Sequence, residues 1–294
     1  MLSQKEALRQ KFAQADFTDD VMFGLIMSQP EICKRFLQAV LPAYDFDHIK
    51  VTPQKYLKTS YVTRAGRLDL LCTNENGTQF NVELQMVDEH NLAKRSRYYH
   101  ALLANNMLAP GEDYQKLKET YVIFLCGFDP FGLGWAVTDY QMTANHGNHI
   151  LGDGTHTLVL NAKGDWREVN DELKGIFQLV LKQRATYGHL GLEIARNIKD
   201  FKESKAGGGK YMALAGEFWQ NVWEDARKAG REEGREEGRE EGREEGRKEI
   251  VLLFVQKLAK NGQTQPEIMT YLETELGLSE DEAQEYYQLA MTKA

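Results

Sequence analysis

The sequence predicts an α/β protein with a mixed central sheet flanked by helices. Three observations favour this class: an alternating hairpin pattern at residues 67–85, a continuous apolar run at residues 120–128, and helical periodicity on either side of them. With 294 residues, the chain is long enough for one sizeable core and an appendage, or for two domains. Its content of 42% hydrophobic and 10% aromatic residues is ordinary for a globular protein.

Residues 67–85, RLDLLCTNENGTQFNVELQ, predict a β-hairpin around the turn signal Asn76-Gly77. A two-residue loop would send the side chains of Asp69 and Glu83 to opposite faces. A three-residue loop that starts at Glu75, with Gly77 in the left-handed conformation, places the two acids opposite each other, with Cβ atoms roughly 5 Å apart.

The three-residue loop is favoured because it separates polar from apolar side chains. One face of the hairpin then holds Arg67, Asp69, Asn81, Glu83 and Gln85, with Arg67 opposite Gln85. The other face holds Leu68, Leu70, Cys72, Phe80, Val82, Leu84 and Met86. Two carboxylates at this separation repel each other when bare, and they are well placed to share a divalent cation.

The chain before the hairpin predicts two short helices within residues 16–41 and a first strand within residues 49–62. Thr18 or Asp19 suits the N-cap of the first helix. Asp20 lies in its first turn, where a carboxylate interacts favourably with the helix dipole.

The chain after the hairpin predicts a helix at residues 89–107, whose buried stripe includes Tyr99. Lys94, Arg95 and Arg97 form the densest basic cluster in the first half of the chain. One interpretation of this cluster is a solvated helix face. The other is a surface that contacts phosphates beside the hairpin.

Three further segments complete the predicted sheet. Residues 120–128, TYVIFLCGF, predict a central strand buried on both faces, and residues 135–142 and 156–160 predict further strands. Helices follow from residue 171 onwards, and the domain is expected to end near residues 207–209.

The C-terminal third contains the four-residue repeat Gly-Arg-Glu-Glu. One interpretation is a charged flexible linker. The other is a helix, which Arg–Glu pairs favour although each interior Gly costs about 1 kcal/mol relative to Ala. In a helix, the four-residue step carries the glycines slowly around one side, where a second backbone could approach closely in a right-handed crossing.

The last segment, residues 249–294, predicts a small module of short helices. Its last two helices are acidic, which favours docking or dimerisation over binding in a DNA groove. The predicted division of the chain is therefore an α/β domain at residues 1–210, a repeat helix or linker at residues 211–248, and this module.

The net charge and the cysteine content limit the classes of protein that this sequence can represent. The net charge of −8 argues against a broad basic footprint for nucleic acid, although much of the acidity lies in the C-terminal third. Cys33, Cys72 and Cys126 lie in apolar surroundings without metal-ligand spacing, which indicates buried thiols in a reducing compartment. Without a signal-like apolar core or a run of membrane-spanning length, the expectation is a soluble cytoplasmic protein.

Four segments within residues 15–165 together resemble the PD-(D/E)XK nuclease family transposases, which are related to the recombination-promoting nuclease (Rpn) group. These segments are TDDVMFGLIM, RLDLLCTNENGTQFNVELQ, KRSRYY and YVIFLCGFDPFG. A GREEG-type repeat before a small helical tail is also found in such proteins. The resemblance implies a restriction-endonuclease-like fold and DNA cleavage that depends on Mg²⁺ or Mn²⁺.

The resemblance also implies roles for individual residues. The implied residues are the metal ligands Asp69 and Glu83, the catalytic Gln85 with Asp20 as an additional acid, and Arg95 and Tyr99 on the helix that follows the hairpin. The mechanism built on these roles adds the carbonyl of Leu84 as a further metal ligand, and its DNA-contacting residues are Lys94, Arg95, Arg97 and Tyr99. Gln85 occupies the position of the motif's lysine, and its amide hydrogen-bonds a water or a phosphate oxygen without supplying charge.

These observations lead to three hypotheses about function. The first is a Mg²⁺-dependent endonuclease linked to transposition, recombination or defence against foreign DNA. The second, favoured by the acidic charge and by Gln85, is a nuclease-like scaffold that binds DNA or protein with weak or absent catalysis. The third is a structural assembly factor built on the repeat helix. A homo-oligomer formed through the C-terminal helical region is expected.

Overall fold

The computed structural model of the protein describes residues 4–57 and 66–292. The end of the predicted first strand, residues 58–62, lies outside the described residues. The chain divides into two compact units, one that ends at Phe218 and one that begins at Trp219. The finer division at residues 210 and 248 stays a prediction. Within the described ranges, every helix is too short or too polar to cross a membrane.

The first unit is a sheet with helices before, within and after it. Its helices are α1 (Gln4–Gln14), α2 (Asp20–Met27), α3 (Pro30–Val40), α4 (Leu92–Asn105), α5 (Asp171–Val180) and α6 (Leu190–Glu203), with a short 3-10 helix at Tyr114–Lys116. Its strands are β1 (Ile49–Leu57), β2 (Gly66–Asn74), β3 (Gln79–Gln85), β4 (Thr120–Cys126), β5 (Val137–Tyr140) and β6 (Thr155–Asn161).

The described strands form a six-stranded sheet in the order β1-β2-β3-β4-β6-β5. Strands β3, β4 and β6 run parallel to their neighbours in that group, whereas β1–β2, β2–β3 and β5–β6 pair antiparallel. The sheet is therefore mixed, and the predicted α/β class is confirmed.

The hairpin of β2 and β3 has the predicted three-residue loop. The Asn74 N–H donates to the Thr78 carbonyl at 3.1 Å, and the Gly77 N–H donates to the Asn74 carbonyl at 3.1 Å. Gly77 has a φ of +84°, the left-handed conformation that glycine adopts without steric cost. The strand pairs run from Leu70–Val82 to Thr73–Gln79, which is the register that places Asp69 opposite Glu83, so the predicted register is confirmed.

Two apolar layers cover the sheet. On one side, helices α2, α3, α5 and α6 pack on a face that includes Leu70 and Val82. On the other side, α4 packs on Leu71, Val122 and Phe124. Strand β4 lies between the two layers and is buried along its whole length, as the apolar run predicted.

Leu68 departs from the predicted alternation. It was expected on the face of Leu70, but it packs with Leu71 in the α4 layer. The β2–β3 ladder ends at Leu70–Val82, so β3 no longer holds this end of β2 in register.

The C-terminal repeat is helical, so of its two interpretations the helix is right. Helix α7 (Gly207–Lys260) contains all of the repeat and is followed by α8 (Gln265–Thr274) and α9 (Glu280–Thr292). Thr264 and Glu267 form a capping box at the start of α8. Ser279 and Glu282 exchange the equivalent hydrogen bonds before α9.

Candidate active site

Asp69 and Glu83 meet where strands β2 and β3 separate. The next pair beyond Leu70–Val82 in this register is Asp69 and Glu83. Here side chains replace the backbone ladder, because the Asp69 N–H donates to Glu83 Oε1 at 3.2 Å and the Leu84 N–H donates to Asp69 Oδ2 at 3.2 Å. Each carboxylate therefore accepts from the other acid's strand, and the two acids share one site.

Helix α4 completes the cluster from above the sheet. Arg95 and Tyr99 are four residues apart, so they lie on the same side of the helix. Arg95 Nη2 donates to Glu83 Oε2 at 3.1 Å, and the Tyr99 hydroxyl donates to the same oxygen at 3.0 Å. Arg95 Nη2 also donates to the Tyr99 hydroxyl at 2.9 Å.

Burial gives Glu83 an unusual protonation equilibrium. Its side chain is only 2% exposed, and removal from water is the largest cause that raises its pKa, from 4.5 to about 8. The neighbouring carboxylate of Asp69 raises the pKa further, while Arg95 and the Asp69 N–H hold it lower. Burial, and then the charge of Glu83, also raise the pKa of the Tyr99 hydroxyl.

Gln85 is bound at both ends of its amide. Its Nε2 donates to the Leu84 carbonyl at 3.0 Å, and its Oε1 accepts from Arg95 Nη1 at 2.7 Å. The amide itself is neutral, but the guanidinium of Arg95 touches both Gln85 and Glu83. The positive charge of the site is therefore supplied by Arg95 on α4 and not by residue 85 on β3.

Asn81 lies two residues before Glu83 on the same strand and is completely buried. A side-chain hydrogen bond from Asn81 lowers the pKa of the Glu83 carboxyl, although its geometry is looser than that of an ordinary hydrogen bond among the described residues. Asn81 therefore belongs to the polar cluster around Glu83. Sequence reasoning put Asn81 on the polar face but gave it no role.

The paired carboxylates are the residues that could hold a hard divalent cation. The described residues contain no group of three or more His, Cys, Asp and Glu side chains that could hold a metal. Mg²⁺ needs only one or two carboxylates, because it keeps several waters and binds substrate phosphate. The Asp69–Glu83 pair supplies two carboxylates, the number that such an ion needs from the protein.

The predicted DNA-contacting residues divide into two groups. Arg95 and Tyr99 face inward and bind Glu83. Lys94 and Arg97 are exposed on the same helix and lie at the protein surface. The basic cluster therefore supplies one site residue and two solvent-facing cations.

The N-terminal acids differ in their surroundings. Asp19 is the N-cap of α2, where its carboxylate accepts from the N–H groups of Val21 and Met22 and from the Tyr211 hydroxyl. Of the two capping residues predicted, Asp19 is therefore the one used. Asp20 is exposed at the first position of the helix, and its role as an additional acid stays a prediction.

Comparison with known proteins places the site in a family. The model of the PD-(D/E)XK nuclease family transposases matches residues 13–163, just over half of the chain, and this range includes β2, β3 and α4. No curated protein and no solved structure matches the chain.

Proposed function

The chain belongs to the PD-(D/E)XK nuclease family transposases, and we propose that it is a Mg²⁺- or Mn²⁺-dependent endonuclease that hydrolyses phosphodiester bonds in DNA. The observation that carries this proposal is the pairing of Asp69 with Glu83 at the fork of β2 and β3. A shared cation would stabilise the ionised forms of both carboxylates, because it offsets their mutual repulsion and the burial that raises the pKa of Glu83.

Asp69 and Glu83 would hold the cation, with the carbonyl of Leu84 as a further ligand. A cation bound there would lower the pKa of a coordinated water and offset negative charge on the scissile phosphate. Glu83 would hold the cation as a carboxylate, because a carboxyl group coordinates a metal in its deprotonated form. The Leu84 N–H keeps Asp69 oriented through the bond it already donates to Oδ2.

Gln85 and Arg95 together replace the lysine of the family motif. The amide of Gln85 orients a water or a phosphate oxygen by hydrogen bonding, and the guanidinium of Arg95 supplies the charge. Arg95 is only 26% exposed, so its charge is weakly screened. Tyr99 holds Arg95 in place through their mutual hydrogen bond.

Lys94 and Arg97 contact the DNA backbone in this proposal. Both are exposed on α4, the helix whose Arg95 contacts Glu83, which makes them the candidate contacts to the phosphate backbone. Asp20 would be an additional acid at the edge of the site. Local basic residues of this kind are compatible with a net charge of −8 over the whole chain.

A plasmid-nicking assay with Mg²⁺ or Mn²⁺ tests the proposal. Asp69→Asn and Glu83→Gln keep the shape of each side chain and remove its charge, so both should abolish nicking. Glu75→Gln is the matched control, because Glu75 lies in the loop of the same hairpin and its side chain is 67% exposed. Equal nicking by all four proteins would refute the metal-dependent mechanism.

A nuclease-like scaffold with weak or absent catalysis is the second candidate. Both carboxylate oxygens of Glu83 already accept hydrogen bonds, from the Asp69 N–H, Arg95 and Tyr99, which favours a site closed to metal. Calorimetric titration with Mn²⁺ separates the two candidates, because a closed site takes up no metal at this pair.

The cellular setting completes the proposal. We infer that the protein acts in the cytoplasm, in transposition or recombination or against foreign DNA. Its three free, buried cysteines support a reducing compartment. We also infer that the chain forms a homo-oligomer through its C-terminal helices.

A further inference from the structure

Helix α4 is attached to the sheet by a second polar cluster, which lies toward the start of β4. The second cluster consists of Ser96 and His100 on α4, Thr120 on β4 and Thr157 on β6. His100 Nδ1 lies 2.7 Å from Thr120 Oγ1, and its Nε2 lies 3.2 Å from Thr157 Oγ1. The Ser96 hydroxyl, which is buried, hydrogen-bonds the same Thr157 hydroxyl. Two paired strands therefore hold one helix through their side chains.

The imidazole of His100 suits this bridge because it is neutral near pH 7. Burial is the largest cause that lowers its pKa, from 6.5 to about 4, while Asp153 raises the pKa and His156 lowers it. In a neutral imidazole one ring nitrogen donates and the other accepts. A threonine hydroxyl does either, so Thr120 and Thr157 together satisfy both nitrogens.

The two polar attachments of α4 are made by different sides of the helix. Arg95 and Tyr99 bond Glu83 on β3. Ser96 and His100 each follow one of these residues and bond the side chains on β4 and β6. Consecutive residues of an α-helix are 100° apart around its axis, so the helix is held at two separate points of its circumference.

The apolar contacts of α4 constrain its rotation less than these hydrogen bonds do. Leu92, Leu102 and Leu103 pack in the layer that contains Val122 and Phe124 of β4. The burial of apolar surface is non-directional, whereas hydrogen bonds weaken steeply away from their preferred angles. The orientation of α4 about its own axis therefore depends on both polar attachments.

A small rotation of α4 would separate Arg95 from its partners. Side chains extend about 5–6 Å from a helix axis, so a rotation of about 10° moves the guanidinium by about 1 Å. The Arg95 hydrogen bonds to Gln85 and Glu83 are 2.7 Å and 3.1 Å long, and an outward movement of that size would break them. A displacement of about 1 Å can lower the rate of an enzymatic reaction by about 10²-fold.

We propose that the second cluster positions Arg95 for the reaction. Ser96, His100 and Thr157 are positioning residues, because they hold α4 in the rotation at which the guanidinium reaches the acid pair. This inference rests on the proposed function, in which Arg95 supplies the positive charge of the site.

Substitution of Thr157 separates its hydrogen bonds from its packing. Thr157→Val keeps the branched shape and removes the hydroxyl, whereas Thr157→Ser keeps the hydroxyl and removes the methyl group. Thr157→Val should lower kcat for nicking by up to about 10²-fold with KM unchanged, and Thr157→Ser should retain the wild-type kcat. Thr155→Val is the matched control on the same strand, because the Thr155 hydroxyl donates to Asp153 and not to α4. A wild-type kcat in Thr157→Val, or an equal loss in Thr157→Ser, overturns the proposal.

A double-mutant cycle tests whether the second cluster acts through Arg95. An Arg95→Gln protein has no guanidinium to position, so the addition of Thr157→Val should lower its kcat no further. The same fall in kcat in both backgrounds would show that the hydroxyl of Thr157 acts by another route, and it would overturn the proposal.

Nuclear magnetic resonance of the metal-free full chain follows Arg95 without DNA. The proton–nitrogen signals of its guanidinium are identified by their loss in Arg95→Gln. They should shift in Thr157→Val and in His100→Phe, which keeps a ring but removes both hydrogen bonds, and stay in place in Thr157→Ser and Thr155→Val. Unshifted signals in Thr157→Val overturn the inference. A wild type that cleaves no DNA refutes the proposed function, and these signals still decide whether the second cluster positions Arg95.

Discussion

Replacing Glu83 by glutamine should stabilise the metal-free protein while removing its proposed function. In the folded chain, the pKa of Glu83 is raised from 4.5 to about 8, chiefly by burial. Below pH 4.5 the carboxyl is protonated in both folded and unfolded chains, and its ionisation has no effect on stability. As pH rises from 4.5 to about 8, the unfolded chain releases a proton that the folded chain retains, so folding becomes less favourable.

The size of this effect follows from the same equilibrium. Between pH 4.5 and pH 7, about 2.5 pH units, the folded chain keeps a proton that the unfolded chain has lost. At 1.36 kcal/mol per pH unit, this lowers the free energy of unfolding by roughly 3 kcal/mol at pH 7. Glutamine is neutral at every pH, so Glu83→Gln avoids this cost. Its oxygen still accepts from Arg95 and Tyr99, while its NH₂ group replaces the oxygen that accepts from the Asp69 N–H, so roughly 3 kcal/mol is an upper bound on the gain. For a unit of about 200 residues, roughly 3 kcal/mol corresponds to an increase in Tm of about 6–12 °C.

Thermal and urea unfolding of the metal-free protein between pH 5 and pH 9 measure the effect. The wild type should lose stability as pH rises through this range relative to Glu83→Gln, whereas Glu75→Gln should follow the wild type because its side chain is exposed. A Glu83→Gln protein that is less stable than the wild type at pH 8, or that shows the same pH dependence, would refute the assignment of a raised pKa to Glu83.

Three further predictions concern the same region. Binding of Mn²⁺ at pH 7 should release close to one proton, because Glu83 must ionise to bind; calorimetry in buffers of different ionisation enthalpy measures this, and zero release contradicts it. Arg95→Gln should lower kcat for nicking by about 10²-fold, whereas Lys94→Gln with Arg97→Gln should raise KM and leave kcat unchanged; a purely structural Arg95 would not show this separation. Gly77→Ala should lower the free energy of unfolding by about 1–2 kcal/mol, because φ is +84° there; urea unfolding measures it, and an unchanged midpoint would show that the loop does not need glycine.

The register of the site hairpin was predictable because local rules determine it. Gly77 supplies the positive φ of the loop, and the alternation of apolar residues then has only one register that buries them together. The central strand β4 was predictable for the same reason, since its apolar run is too short for a helix and is buried throughout.

The arrangement around Glu83 was not predictable, because it depends on how α4 packs on the sheet. Lys94, Arg95 and Arg97 are indistinguishable as charges in the sequence, and only packing turns Arg95 inward to Glu83. The complete burial of Asn81 next to Glu83 likewise depends on packing and cannot be read from its position on the polar face. Local pattern left Thr18 and Asp19 equal as caps, whereas the Tyr211 hydroxyl from a distant helix contacts Asp19.

Binding of Mn²⁺ followed by electron paramagnetic resonance tests the central claim most directly, because it detects the metal site without requiring a DNA substrate. The wild type and Glu75→Gln should each bind one Mn²⁺ per chain at the Asp69–Glu83 pair. Asp69→Asn and Glu83→Gln should each lose that site. Undiminished binding in both charge-removing variants would contradict the assignment of these two carboxylates as the metal ligands.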